Sequence, residues 1–268
     1  MVPALGMRAA DAGATQHDVS EDGTRGLALS GGGAYGAAHV GVLQELDARG
    51  IRPGIVTGTS SGALVAAAYA AEVPQDELER AAAAFRWSSI ARMRGRPRWG
   101  LLDAGALTEA VRRLYGSDPL IEDLPRRFAA VATDVRTRRP VVIDRGPLSV
   151  ALRATIAVPG LLPPVRRGRQ LLMDGGMVDN VPVSAARHLG ATSVIVVRLH
   201  AKWENVRMMR VAASAAALEA DPSVTLIQPD MTGLAQWSMA DVPRLIAEGR
   251  RAAREALDAA RPAGSEPR

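Results

Sequence analysis

Two successive units of strand, glycine turn and helix constrain the fold of this chain more than any other feature. The first is "GLALSGGGAYGAAHVGVLQEL", which begins at Gly26, and the second is "IVTGTSSGALVAAAYA", which begins at Ile55. In each, a short apolar strand runs into a turn rich in glycine and serine, and a helix of small residues follows. Such units predict a mostly parallel sheet covered by helices, with both turns at the edge where open α/β folds bind ligands.

The first turn is suited to binding an anion. Gly31, Gly33 and Gly36 fit the G-x-G-x-x-G pattern of a dinucleotide-binding loop, but backbone amides at such a turn also suit the oxyanion of an acyl transfer. A dinucleotide site needs an acidic side chain at the end of the second strand, to bind the ribose. Here the predicted strand ends at Thr57 and leads into Gly58 without an acid, which disfavours a dinucleotide.

The second turn, residues 58–62, reads "GTSSG" and fits the G-x-S-x-G pattern. In that pattern the central serine, here Ser60, sits on a sharp strand-to-helix turn with its Oγ exposed. The helix N-terminus behind it favours developing negative charge. The alternative interpretation is a turn of small residues that only caps a helix. Two neighbouring glycine turns at one sheet edge favour the catalytic interpretation.

A serine nucleophile needs a base within hydrogen-bond reach. Only one of the four histidines is a credible base, namely His200, which follows the apolar strand "SVIVVRL". The other candidate is Asp174, which ends the strand "QLLM" and opens "DGG", whereas Asp179 is more easily interpreted as a loop or cap residue. A triad with His200 and a dyad with Asp174 are both open at this point. The remaining histidines are His17, in the leader, His39, in the first helix, and His188, near a helix end.

Composition excludes several classes of site. The 268 residues contain no cysteine, so disulfides, thiol nucleophiles and cysteine metal sites are absent, and no metal-binding motif appears. The net charge of +5 comes almost entirely from arginine, which attracts phosphates, but no nucleic-acid-binding module accompanies it, so no nucleic acid partner is expected. No apolar run is long enough to span a bilayer, and the polar start does not resemble a secretory signal, which predicts a cytoplasmic location.

Three motifs, in order, resemble those of the patatin-like phospholipase family: "GGGAYG", "GTSSG" and "DGG". The stretches "ATDVRTRRPVVI", "ALRATIAVPGLLPPV" and "DNVPV" are also similar to the family, and the chain is closest to compact bacterial members related to neuropathy-target-esterase-type lysophospholipases. The resemblance implies a three-layer α/β/α fold and a Ser–Asp dyad, with Ser60 as nucleophile and Asp174 as base. It implies no cofactor and no metal. The other implied site residues are Gly31, Gly32 and Gly33 as the oxyanion hole, with Gly36, Gly58, Gly62, Gly175 and Gly176 as motif support.

The expected organisation is a single patatin-like catalytic domain over residues 25–260, between a flexible leader, 1–24, and a flexible tail, 261–268. Residues 72–125 are expected to form a helical, lid-like insertion. Within it, the Arg-, Trp- and Met-rich segment 85–102 is either a solvated helical face or a surface for peripheral membrane contact. The sequence does not indicate an oligomeric state.

The implied activity is that of a serine acyl-ester hydrolase of the phospholipase A or lysophospholipase type, acting through an acyl-enzyme on phospholipid, lysophospholipid or another fatty-acyl ester. One alternative is an α/β-hydrolase-type esterase with a Ser-His-acid triad. Another is a catalytically silent lipid-binding protein of the same fold, because Tyr35 stands where the family usually has Arg or Lys.

Overall fold

The computed structural model describes residues 24–86, 92–93, 102–103, 105–199 and 215–260. Its strands are β1 (Arg25–Leu29), β2 (Ile55–Thr59), β3 (Arg92–Met93), β4 (Leu102–Asp103), β5 (Arg127–Asp134), β6 (Arg139–Ile143), β7 (Val165–Arg167), β8 (Gln170–Asp174), β9 (Ser193–Val197) and β10 (Val224–Ile227). Its helices are α1 (Ala37–Ala48), α2 (Ser61–Ala70), α3 (Gln75–Ala84), α4 (Gly105–Tyr115), α5 (Leu148–Thr155), α6 (Val183–His188), α7 (Ala215–Glu219) and α8 (Val242–Ala259).

The central sheet has the order β10-β9-β1-β2-β5-β8-β7, with β6 also paired to β5. The first five strands in that order are parallel, so their carboxyl ends lie at one edge. Strands β6, β8 and β7 add antiparallel pairs on the β5 side. The prediction of a mostly parallel α/β fold is confirmed.

Helices cover both faces of this sheet, because successive side chains of its strands point to opposite sides. In β1, Leu27 and Leu29 pack into the larger apolar core with α1, α2 and α8. Ala28 lies in a second core with residues of α6 and α7. The arrangement is therefore the three-layer α/β/α architecture that the sequence predicts.

Helices α1 and α8 pack at backbone contact distance. A Cβ atom added at Gly249 would lie 1.9 Å from the carbonyl oxygen of Ala38, and one added at Gly41 would lie 1.9 Å from that of Ile246. Glycine at both positions is therefore required by the close approach of the two helices. This contact fixes the helix that follows the first glycine turn.

The sequence pattern places Glu45 on the outer face of α1, and this prediction is wrong. Glu45 is only 5% exposed, and Arg49, Arg250 and Arg254 surround its carboxylate. Burial acts to raise its pKa, but hydrogen bonds from these arginines hold the pKa below its ordinary value. The prediction fails because two of the three arginines come from α8 and lie 205 and 209 residues further along the chain.

Residues 72–125, the predicted insertion, contain α3 and α4 together with the short antiparallel pair β3–β4. Most of segment 85–102 lies outside the described residues, as do the leader up to residue 23 and the tail 261–268. Among the helices that the structure describes, none has the length and apolar character needed to cross a membrane.

Candidate active site

The turn between β2 and α2 holds Ser60 in a strained backbone conformation. Its φ of 52° and ψ of −126° are unusual for a residue with a side chain. Gly62 allows this turn to lie against the first one, because a Cβ there would be 2.4 Å from the carbonyl oxygen of Leu29. The candidate nucleophile is thus presented at the carboxyl edge of the sheet, at the start of a helix.

The register of β5 explains how Asp174 reaches Ser60. Strand β6 occupies one edge of β5, and the opposite edge is shared by β2 and then β8. On the shared edge Thr59 pairs with Val131, and Asp174 pairs with the next residue, Ala132. Because β8 runs antiparallel, its last residue meets the end of β2. Two residues that are 114 positions apart in the chain are therefore brought together.

The hydroxyl of Ser60 donates a hydrogen bond to Asp174 Oδ2 at 2.8 Å. Both residues are buried, with 6% and 4% exposure respectively. Burial raises the pKa of Asp174 to about 6, although the Gly176 N–H and the Ser60 hydroxyl, which both donate to the carboxylate, act in the opposite direction. A carboxylate with this pKa is mostly ionised at neutral pH and is a stronger base than an exposed aspartate.

Two threonines that the sequence analysis did not identify hold this pair in place. Thr155 Oγ1 accepts the Ser60 N–H at 2.8 Å and donates to the carbonyl oxygen of Val131. Thr133 Oγ1 donates to the Asp174 carbonyl oxygen at 2.8 Å. Both residues lie in the family-like stretches "ALRATIA" and "ATDVRTRRPVVI", and that similarity was the available signal.

The three amides of the first glycine turn differ in their hydrogen bonds. The Gly31 N–H donates to the Asn180 carbonyl oxygen at 3.2 Å, and the Gly32 N–H donates to Ser61 Oγ at 3.1 Å. The Gly33 N–H makes no hydrogen bond with the described residues. Gly33 has a φ of +62° and lines the same cavity as Ser60. Its amide is therefore the one available to an incoming oxygen.

The supporting glycines lie where the turns contact one another. The Gly176 N–H bonds the candidate base, as described above. A Cβ at the remaining positions would be within 3 Å of a neighbouring turn or strand. At Gly36 the contact would be with Ser61, at Gly58 with Ala63, and at Gly175 with Val131.

The outside of the glycine turn is secured by a later part of the chain. The Ala34 N–H donates to the Gln236 carbonyl oxygen at 2.8 Å, and the Tyr35 hydroxyl donates to the Leu234 carbonyl oxygen at 2.9 Å. Tyr35 is buried and is not among the residues that line the cavity. The tyrosine at the family's usual Arg or Lys position thus serves as an anchor for the turn.

The histidines have different locations. His39 is buried, and its Nε2 lies 2.8 Å from the Ser30 carbonyl oxygen, to which it donates. Burial lowers the pKa of His39 to about 4, so the ring is neutral at neutral pH. His188 ends α6, while His17 and His200 lie outside the described residues. Of the two positions that the sequence allowed for His39, packed or at the surface, the structure shows the packed one.

A second carboxyl group, that of Asp179, is also buried near the site. Ser184 Oγ donates to its Oδ2 at 2.9 Å, and burial raises its pKa to about 6. Its carbonyl oxygen accepts a hydrogen bond from Thr59 Oγ1, but its carboxylate does not contact Ser60. In the described part of the chain, no group of three or more His, Asp or Glu side chains is arranged to hold a metal ion.

Beside Ser60 lies an apolar cavity of about 600 Å³. Residues from α2, α3 and α4 form much of its wall, with alanine, leucine and valine predominating. The described lining has few polar groups, so the cavity suits a hydrocarbon chain that ends at the serine.

Comparisons with known proteins show the family to which the chain is similar. The family model described as "Patatin-like phospholipase" matches residues 27–187. An uncharacterised NTE family protein of Mycobacterium tuberculosis is 33% identical over 273 aligned residues, which cover 87% of this chain and 46% of the relative. The mouse patatin-like phospholipase domain-containing protein 6 is 33% identical over 181 residues, covering 65% of this chain and 13% of the relative. The chain thus spans about half the length of the mycobacterial relative.

Solved structures show the same fold at low identity. VipD from Legionella pneumophila has a TM-score of 0.58 and 15% identity, with 88% of this chain and 67% of that one covered. The type III effector ExoU has a TM-score of 0.50 and 13% identity, with 90% and 53% covered. Since the family model spans more than half of the sequence and a relative with 33% identity covers most of it, this chain belongs to the patatin-like phospholipase family.

Proposed function

We propose that the protein is a serine hydrolase of fatty-acyl esters, of the phospholipase A or lysophospholipase type. The observation that carries the proposal is the 2.8 Å hydrogen bond from Ser60 to the buried Asp174 beside an apolar cavity. The family description supports phospholipids and lysophospholipids as the substrate class.

In the proposed acylation step, Ser60 Oγ attacks the ester carbonyl carbon while Asp174 Oδ2 takes the hydroxyl proton. The carbonyl π electrons move to oxygen and give a tetrahedral oxyanion. When this intermediate collapses, the bond to the alcohol breaks and Asp174 returns the proton to the departing oxygen. The acyl group then remains on Ser60. A water molecule repeats the sequence, with Asp174 again as base, and releases the fatty acid.

The oxyanion is proposed to bind at the glycine turn predicted for it, residues 31–33. The contacts favour Gly33, whose amide is available, whereas the Gly32 amide donates to Ser61 Oγ and would have to exchange that bond for one to the oxyanion. The Gly31 amide is already used by Asn180, so its role is to hold the turn. One oxyanion donor contributes about 3–4 kcal/mol to transition-state stabilisation. The positive end of α2, behind Ser60, adds to the same effect.

The triad alternative requires His200, which lies outside the described residues. The position of Asp174 argues against a triad. In a triad the serine hydroxyl bonds an imidazole, whereas here the Ser60 hydroxyl bonds the Asp174 carboxylate directly. The catalytically silent alternative rested on Tyr35. Its hydroxyl bonds Leu234 in the core and leaves the dyad unaffected, so it gives that alternative no support.

The test compares Asp174→Asn with Asp179→Asn, since both carboxyls are buried with a pKa of about 6 and only the first contacts Ser60. Turnover of a p-nitrophenyl acyl ester is expected to fall by several orders of magnitude in D174N and in Ser60→Ala, and to persist in D179N and His200→Ala. A fluorophosphonate probe is expected to label the wild type but not S60A. Full activity in D174N, or its loss in H200A, would refute the dyad.

A further inference from the structure

The mouth of the apolar cavity is bordered by exposed apolar side chains. Among the described residues, four large apolar side chains are exposed, and three of them line the cavity: Leu114 (38%), Leu161 (38%) and Trp237 (49%). Scattered apolar residues on a surface need no explanation, but a concentration at one opening does. We call these three residues the rim. They come from three separate parts of the chain: α4, the segment before β7 and the segment before α8.

The rim also lies close to the catalytic turn. A Cβ added at Gly33 would be 3.6 Å from Cζ3 of Trp237, which places the indole beside the available amide. A lipid that enters at the rim therefore brings its ester directly to Ser60, with its acyl chain in the cavity.

A cluster of arginines stands on two neighbouring hairpins. The β5–β6 hairpin carries three, in its turn and at the start of β6, and the β7–β8 hairpin carries another three, in β7 and in its turn. A hydrogen bond from the Val135 N–H to the Leu171 carbonyl oxygen, at 3.0 Å, joins the two hairpins. We call this set the arginine ridge, and its members are Arg136, Arg138, Arg139, Arg166, Arg167 and Arg169.

The ridge carries positive charge that no acidic side chain of the described residues pairs within ion-pair distance. Five of its side chains are exposed and Arg167 is half-buried, and none forms an ion pair with an acidic side chain of the described residues. By contrast, many other arginines are paired, for example Arg80 with Asp76 and Arg251 with Glu248. An unpaired arginine cluster attracts phosphate groups, to which its guanidinium groups bind through two hydrogen bonds.

The ridge and the rim belong to the same side of the molecule. The β5–β6 turn follows Asp134, beyond the point on β5 where Thr59 and Asp174 meet, so it extends from the catalytic edge. Arg166 is five residues after Leu161, so the two Cα atoms lie within about 18 Å of each other.

We propose that the rim and the arginine ridge form one docking surface for a bilayer rich in anionic phospholipids. The rim inserts Trp237 and the two leucines at the acyl boundary, and the ridge binds lipid phosphates. The inference rests on the proposed function, because it supplies the route by which a bilayer lipid reaches Ser60.

The test measures partitioning of the protein onto vesicles by co-sedimentation. Ser60→Ala is used as the background, so that the vesicles remain intact. The vesicles contain phosphatidylcholine alone or an equal mixture with phosphatidylglycerol. The ridge variant is Arg136→Gln/Arg138→Gln/Arg139→Gln. The matched control is Arg25→Gln/Arg52→Gln/Arg127→Gln, which makes the same charge change on the opposite edge of the sheet. Arg25 and Arg127 begin β1 and β5, and Arg52 lies three residues before β2.

The ridge variant is expected to bind the mixed vesicles about 100-fold more weakly, at about 5-fold for each arginine. The control triple is expected to bind within a few-fold of the parent. Leu161→Ser is expected to weaken binding to both kinds of vesicle. In the Ser60-containing protein, the ridge variant is expected to retain turnover of a soluble short-chain ester.

Three outcomes would overturn the proposal. The ridge variant binds the mixed vesicles as tightly as its parent, the control triple loses as much binding as the ridge variant, or the parent binds vesicles with and without phosphatidylglycerol equally well. If the Ser60-containing wild type does not turn over the soluble ester while the ridge variant shows the expected loss of binding, the hydrolase proposal fails and the docking surface stands.

Discussion

Replacement of Thr155 tests whether the strained turn at Ser60 is held by a side chain. Thr155 is fully buried, and its hydroxyl bridges the Ser60 N–H and the Val131 carbonyl oxygen. Thr155→Val keeps the shape of the side chain and removes both bonds. A buried polar group without a partner costs about 1–3 kcal/mol, so the loss in unfolding free energy is expected to be about 2–6 kcal/mol.

The catalytic effect follows from the same bond. Once the Ser60 N–H is released, the turn can relax from its φ of 52° and carry Oγ away from Asp174. Since a displacement of about 1 Å in a reacting group reduces rates about 100-fold, kcat for a soluble ester is expected to fall by about 10- to 100-fold.

The matched control is Thr155→Ser, which keeps the hydroxyl and loses one methyl group, at a cost of about 1 kcal/mol. Urea unfolding followed by circular dichroism gives the free energies, and steady-state turnover gives kcat. The reasoning is refuted if the valine and serine variants unfold at the same urea concentration with equal slopes and turn over the ester equally well.

Four further predictions concern the site and the helix pair beside it. The kcat/KM for a soluble ester should rise with pH in one step near pH 6, because Asp174 accepts a proton only when ionised; a flat profile from acid to neutral pH contradicts this. The same raised pKa means that the ionised carboxylate is disfavoured in the folded state, so the stabilising contribution of this group is lost as pH rises from about 4 to about 6. Urea unfolding should therefore show D174N gaining stability relative to the wild type over that range, up to about 3 kcal/mol at neutral pH, and the same difference at pH 4 and pH 7 contradicts this. Each methylene added to a p-nitrophenyl ester should raise kcat/KM up to about 4-fold until the cavity is filled, and indifference to chain length would argue against the cavity as the acyl site. Gly249→Ala should cost about 3 kcal/mol by forcing α1 and α8 apart, whereas an alanine tolerated without loss in urea unfolding would show that the helices separate easily.

The local parts of the fold and the site could be predicted from the sequence. The units around Gly31 and Ser60 combine strand, turn and helix signals within 20 residues each, so local preference and final structure agree. The contact of Asp174 with Ser60 could not be predicted from a local pattern. The two residues are 114 positions apart, and they meet because of the register in which β8 pairs with β5. The family resemblance supplied that link, and the residues alone left His200 equally open.

The roles of Thr155, Tyr35 and Glu45 could not be predicted for a related reason. Each is polar or amphipathic and lies in a helical segment, where outward orientation is the default. Their partners, Val131, Leu234 and the arginines of α8, become neighbours only in the folded protein. A buried hydrogen bond to a distant backbone carbonyl leaves no periodic signal in the sequence.

The anchoring of the first glycine turn by Leu234 and Gln236 has a practical consequence for anyone who shortens this protein. The match to the family model ends at residue 187, so a fragment trimmed to that boundary would keep every motif intact. It would nevertheless lack the two carbonyl oxygens that hold the first glycine turn. Such a fragment would contain the proposed nucleophile and base, but the proposed oxyanion-binding turn would have lost its support.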